Sequence, residues 1–313
     1  IKHRWIHFGT PEEQGTADAK GPVLMPKVLF PDGSAMNDST FVIKIFEAKY
    51  PCRSVYPKNE SMRFICDLLE DFADEFVTKC MYHYRWVHDP VYAARGIAMM
   101  QGTSSVPEEV VESVGGAVQA RQVGRLSVVG SNKVTGPIIE SFYEGFIARL
   151  DRHLKSGFPY LLGSRPSAAD FAILGQLHPM IALDKETSHI TRNLSNRVCS
   201  YYSLATDLSG YSIKDEEKGW LDDIPPSLLD ILKYVGKYYV PFLLANQAAL
   251  KREEKQFAFE IEPGVRWEQP TFKYQSKCLD WLRESFQAVK DKKTLLAQLK
   301  GTGIEQMFAV SQL

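Results

Sequence analysis

No run of apolar residues along the 313-residue chain is long enough to span a bilayer. Charge of one sign is also lacking. The 37 basic and 38 acidic residues leave a formal net charge of -1, which argues against a nucleic-acid or anionic-membrane partner. Cysteine pairs are missing: Cys52, Cys66, Cys80, Cys199 and Cys278 are far apart, without redox or metal-ligand spacing, and an odd count does not build a disulfide framework. The seven histidines show no ligand spacing, and no glycine-rich phosphate loop follows a strand. No signal- or transit-peptide pattern is visible. Unpaired cysteines suit a reducing compartment, the cytoplasm, with a mitochondrion or other organelle after removal of a leader as the alternative. The chain opens on Ile1, which leaves two readings: a leader already lost, or a longer protein of which this is a part.

What is present starts with short strand signals. "IKHRWIHF" reads as a strand over residues 5 to 8, and "VLMPKVLF" as another. "FPDG" is a turn, with Pro31 and Asp32 favouring the bend and Gly33 tolerating positive φ. Ala35 and Met36 belong to the returning strand. Phe41, Val42, Ile45 and Phe46 then recur at helical spacing up to Pro51. The two polar residues where this helix begins, Asp38 and Ser39, admit two readings. Asp38 caps the helix with Ser39 in its first turn, or the pair receives an anionic or zwitterionic ligand.

After residue 57 the pattern becomes helical. Ile65, Leu69, Phe72, Phe76 and Cys80 form one stripe, with Glu70, Asp71, Asp74 and Glu75 on another face. These carboxylates lie one turn apart, and a solvated face is the expectation for them. Val110 to Val123 reads as a modest helix amid loops. Phe142, Phe146, Leu150 and Leu154 align in the next long helix, whose last turn is basic. In "YLLGSRPSAADFAILGQL", Ser167 followed by Asp170 reads as a capping box opening a buried helix, a structural role rather than a catalytic one. Beyond Ser212 the expectation is helical throughout, with a break at Pro241. Tyr238, Tyr239, Phe242 and Leu243 form an aromatic patch, and Tyr274, Cys278, Trp281, Leu282 and Phe286 a second stripe. Folding back on the preceding helices, or packing against another molecule, would cover them.

Taken in order, the proline, hairpin and "DST" segment, the helix pair "MRFICDLLEDFADEF" and "IIESFYEGFIARLDRHL", and the Ser167 cap resemble the glutathione transferase superfamily over about residues 22 to 210. "FLLANQAAL" and "WEQPTFKYQSKCLDWLRESF" resemble a poorly characterised branch with a long helical C-terminal extension. The resemblance implies a partial thioredoxin-like α/β domain over residues 1–57, lacking its first strand and helix. It implies an all-helical domain over 58–211 and a helical extension over 212–313. It also implies a cis Met25–Pro26 bond presenting the Met25 backbone to the cysteinyl part of glutathione. Asp38 then pairs with the γ-glutamyl ammonium, and the Ser39 hydroxyl and N–H bind its carboxylate. Tyr84 and Arg85 would border the cleft for the second substrate; their plainer reading is packing for Tyr84 and a surface ion pair for Arg85. No Cys, Ser or Tyr precedes Ser34, so no thiol-activating residue is assigned.

Three functions compete on this reading. The first is an enzyme that conjugates small electrophiles to glutathione or reduces them with it. The second is a non-catalytic subunit of the same fold, as a homodimer or in a larger complex. The third is a binder of small apolar ligands.

Overall fold

In the computed structural model, which describes residues 1–6, 26–102, 107–213 and 218–309, the "FPDG" bend closes a small hairpin. Lys27–Leu29 (β1) and Ala35–Asn37 (β2) pair antiparallel, with Val28 opposite Met36. The Gly33 N–H donates to the Phe30 carbonyl at 3.0 Å, and Gly33 takes φ 84°. Asp32 Oδ1 accepts from the Ser34 N–H at 2.9 Å and its hydroxyl at 2.6 Å, bracing the bend. Ser39–Lys49 (α1) follows. The strand expected over residues 5 to 8 is absent at Trp5 and Ile6, which carry no regular structure; the rest of it lies outside the described residues. Trp5 is largely exposed, with the His3 ring edge-on to it.

The chain divides into two units. The first is Ile1–Ser54 with Ala94–Val118, and the second is Val55–Ala93 with Gln119–Leu313. In the first, parts of Pro90–Gly102 (α4) and Glu108–Val123 (α5) meet where Gly115 faces the backbone of Ala94, and Arg95 pairs with Glu108.

The second unit is built on a rod made of Glu60–Phe72 (α2), a π-helical turn at Ala73–Val77, and Thr78–Val87 (α3). The stripe Ile65, Leu69, Phe72, Phe76 and Cys80 is buried along it. Against it lie Gly136–Lys155 (α6), Ala168–His178 (α7) and Lys185–Leu194 (α8), and Asn196–Ala205 (α9) packs on those three. The segment after residue 212 joins the same unit rather than forming a separate one. Pro226–Lys251 (α10) runs unbroken through Pro241, contrary to the expected break. Proline cannot donate to the carbonyl four residues back, here that of Lys237. Lys237 lies on the exposed side, where solvent can take that carbonyl, while Tyr238, Tyr239, Phe242 and Leu243 are buried around it.

The extension is also not wholly helical. Gln256–Glu262 (β3) and Val265–Pro270 (β4) form an antiparallel hairpin before Lys273–Ala288 (α11), Lys292–Leu299 (α12) and Gln306–Ala309 (α13). Phe257 and Ile261 alternate inward on β3 and Trp267 on β4, around a bend at Pro263 and Gly264. The architecture is thus a small β element with its helix and a large, mainly helical body. No helix among the described residues is long and apolar enough to cross a membrane.

The Ser167 cap is more than a local device. Asp170 Oδ2 accepts from the Ser167 N–H at 2.8 Å and its hydroxyl at 2.6 Å. Asp170 Oδ1 accepts from the Leu161 N–H at 2.9 Å and the Tyr201 hydroxyl at 2.8 Å, tying α7 to the preceding loop and to α9. Loss of a cap alone costs about 0.5–2 kcal/mol. Stranding buried donors adds roughly 1–3 kcal/mol for each group. Asp170→Ala is therefore expected to cost about 3 kcal/mol or more in urea denaturation. A loss confined to the range of a simple cap would show that the Leu161 and Tyr201 bonds contribute little.

Candidate functional site

Asp38 occupies the N-cap of α1 with φ 77° and ψ 106°, a backbone conformation that an L-residue rarely adopts. Its Oδ1 accepts from the Thr40 N–H at 3.1 Å, so the carboxylate caps the helix. Ser39 is the first residue of α1 and is half-buried beside it. The neighbouring Asn37 carries no motif or spacing signal in the sequence. Its Oδ1 is buried and has no hydrogen-bond partner among the described residues, a state uncommon in folded proteins. One stretch of three residues therefore holds a strained backbone, an acid at a helix start and an unsatisfied acceptor. Pro26 is exposed just before β1; Met25, and with it the Met25–Pro26 bond, lies outside the described residues.

In the second unit, Tyr84 is buried, stacked on His88 with centroids 5.3 Å apart and edge-on to Tyr143 at 5.6 Å. Arg85 Nε donates to both carboxylate oxygens of Asp184, at 2.9 and 3.0 Å. Their side chains are 16% and 9% exposed, so this is a mostly buried pair rather than a surface one. Burial pushes the Asp184 carboxyl up, and Arg85 offsets that in part. Tyr84 and Arg85 lie in successive positions yet serve different neighbours.

Beside them stands a polar group that sequence spacing did not reveal. Glu140 Oε1 on α6 lies 3.2 Å from His83 Nε2 and 2.7 Å from His88 Nε2. Burial lowers the His83 pKa, against the pull of Glu140. For Glu140, burial acts upward, and the bonds from His83 and His88 outweigh it to hold the carboxyl below its ordinary range. Two imidazoles and a carboxylate so placed are able to hold a metal ion.

The carboxylates of α2 and of the π-helical turn after it do not form the solvated face expected of them. Glu70 is buried, and Asp71, Asp74 and Glu75 are half-buried, because the extension packs there. Tyr239 donates to Asp71 at 2.6 Å, Gln275 to Glu75 at 2.9 Å and Ser285 to Asp67 at 2.6 Å. Burial raises Asp71 to about 7, with the nearby Glu75 adding to it and the Tyr239 bond opposing it. Lys79 is buried with its ammonium 4.5 Å from the Phe242 ring centre and 3.2 Å from Gln269 Oε1. Burial brings it down to about 8. The recess beside it, lined by Phe76, Cys80, Phe142, Ile261 and Trp267 among others, has about 10 Å³ of space, enough for a single water at most. Lys79 therefore has no room for a substrate.

A folded-state pKa raised above the unfolded value gives stability that is complete below the unfolded pKa and is lost as pH rises through the folded one. For Asp71 that window runs from about 4 to about 7. Asp71→Asn keeps an acceptor for Tyr239 without the titration. Relative to this variant, the wild type is expected to lose roughly 2–4 kcal/mol between pH 4 and pH 7. Parallel denaturation curves across that range would show instead that Asp71 ionises with its ordinary affinity.

No protein-family model, no curated protein and no solved structure matches this chain.

Proposed function

We propose that the chain is a glutathione-binding protein of the glutathione transferase type, conjugating small electrophiles to glutathione or reducing them with it. The observation that carries this reading is the Asp38 backbone at φ 77°. Strain of this kind costs on the order of 1–3 kcal/mol and clusters at ligand clamps and active sites. It holds an acidic side chain at the start of α1, where backbone N–H groups favour an anion. The γ-glutamyl end of glutathione carries an ammonium and a carboxylate on one carbon. Asp38 answers the first; the Ser39 hydroxyl and N–H answer the second. Asn37 Oδ1 supplies an acceptor for a further ligand N–H. Met25 and Pro26 take the cysteinyl part by resemblance to the superfamily. No residue is assigned to activate the thiol.

A second reading, a non-catalytic subunit of the same type, is favoured by a separate observation. Tyr84 is packed and Arg85 is held by Asp184, so neither stands ready to receive an electrophile. On this reading glutathione binding persists without turnover.

Titration calorimetry with glutathione is expected to show saturable binding to the wild type. Asp38→Asn keeps a good helix cap and removes the charge that pairs with the ammonium. A hydrogen bond to a charged group is worth about 1.5–3 kcal/mol, so affinity should fall roughly 10- to 150-fold with thermal stability nearly unchanged. No saturable heat with the wild type, or equal affinity in Asp38→Asn, would overturn the assignment. Conjugation of a model electrophile above the uncatalysed rate separates the enzyme from the subunit.

A further inference from the structure

We propose that His83, His88 and Glu140 form a zinc site with one coordination position open to solvent. His83 and His88 come from the end of α3 and the residue after it, and Glu140 comes from the first turns of α6. Their ligand atoms all lie within 4.8 Å of one another. Zinc binds imidazole nitrogen and carboxylate oxygen at about 2.0–2.2 Å, which places tetrahedral ligand atoms roughly 3.3 Å apart. Glu140 Oε1 is already 3.2 Å from His83 Nε2. Its 2.7 Å approach to His88 Nε2 has to open by roughly half an ångström to admit the ion. Both partners of that closer contact are about a third exposed, at 34% and 36%, and have room to turn.

The surroundings orient the ligands. His83 Nδ1 lies 2.7 Å from Ser131 Oγ, and both side chains are buried. When Nε2 gives its lone pair to zinc, the proton resides on Nδ1 and is donated to the Ser131 hydroxyl. Such outer partners fix the tautomer and ring orientation of a ligating histidine. Gly136 leaves the space the ring occupies: a Cβ there would stand 3.0 Å from His83 Cε1. The His88 ring is held by stacking on Tyr84. Three protein ligands of the His, His, Glu type with a solvent-facing fourth position match the donor set of zinc sites that bind water. A site joining α3 to α6 in this way also clamps two helices of the same unit.

The test uses the full chain, freed of metal by a chelator and titrated with Zn2+ by calorimetry and with Co2+ by visible absorption. The expected result is one equivalent bound, with the absorption bands of four-coordinate Co2+ that Zn2+ displaces. His88→Ala and Glu140→Gln, both at partly exposed positions, should each weaken binding at least tenfold and leave far-ultraviolet circular dichroism unchanged. Ser131→Ala should weaken it about 10- to 100-fold through the outer hydrogen bond. Zn2+ should raise the thermal midpoint of the wild type and not that of the double variant, which also guards against a variant that fails to fold. Absence of a one-equivalent site in the wild type, or equal Zn2+ affinity in the His88→Ala/Glu140→Gln double variant, would overturn the proposal and leave a hydrogen-bonded His–Glu–His cluster.

Discussion

The helical unit depends on the packing of one aromatic ring, that of Phe76. It sits in the π-helical turn of the α2–α3 rod and meets rings from three other elements. Phe142 of α6 is 5.0 Å away, Phe242 and Tyr239 of α10 are 5.6 and 5.8 Å away, and Trp267 of β4 is 6.3 Å away. Each such pair adds about 0.5–1.5 kcal/mol beyond the area it buries. The extra residue in a π turn shifts the register of everything after it. Phe76 therefore faces the extension as well as α6, and the chain after residue 212 becomes part of this core rather than an appendage.

Covering the rod with the extension has an electrostatic cost. Carboxylates that would be solvated on an isolated helix are brought against Tyr239, Gln275 and Ser285, which meet Asp71, Glu75 and Asp67 in turn. Buried polar groups cost little only when they are bonded, and these three are. The same accounting governs Asp170, whose two oxygens serve four donors across α7, α9 and the loop before them. Stability in this unit rests on an aromatic interior joined by a few hydrogen-bonded polar links.

The small unit follows another logic. Its hairpin is three residues long on each side, and its helix buries Val42 while Phe41 and Ile45 remain more than a third exposed. Against that thin packing, the strained Asp38 backbone and the Asn37 Oδ1, without a partner among the described residues, are local costs. The histidine–glutamate cluster differs in kind: its hydrogen bonds are made, and it is the convergence of ligand atoms that gives it a chemical use.

The sequence by itself determined what short-range periodicity and capping control. The stripe from Ile65 to Cys80, the Ser167 cap, the "FPDG" turn and the start of α1 at Asp38 each depend on residues within a few positions of one another. The alternation of Phe257, Phe259 and Ile261 before Pro263 and Gly264 was equally legible as a hairpin, but a helical context masked it. Only the tertiary structure decided the rest. Whether α2 shows its acids to water, whether Pro241 interrupts a helix, and whether Glu140 reaches His83 and His88 depend on what packs alongside. Glu140 is more than fifty residues from His83 in the chain, with no spacing rule between them. Burial and convergence are properties of neighbours in space, and these neighbours come from distant parts of the chain.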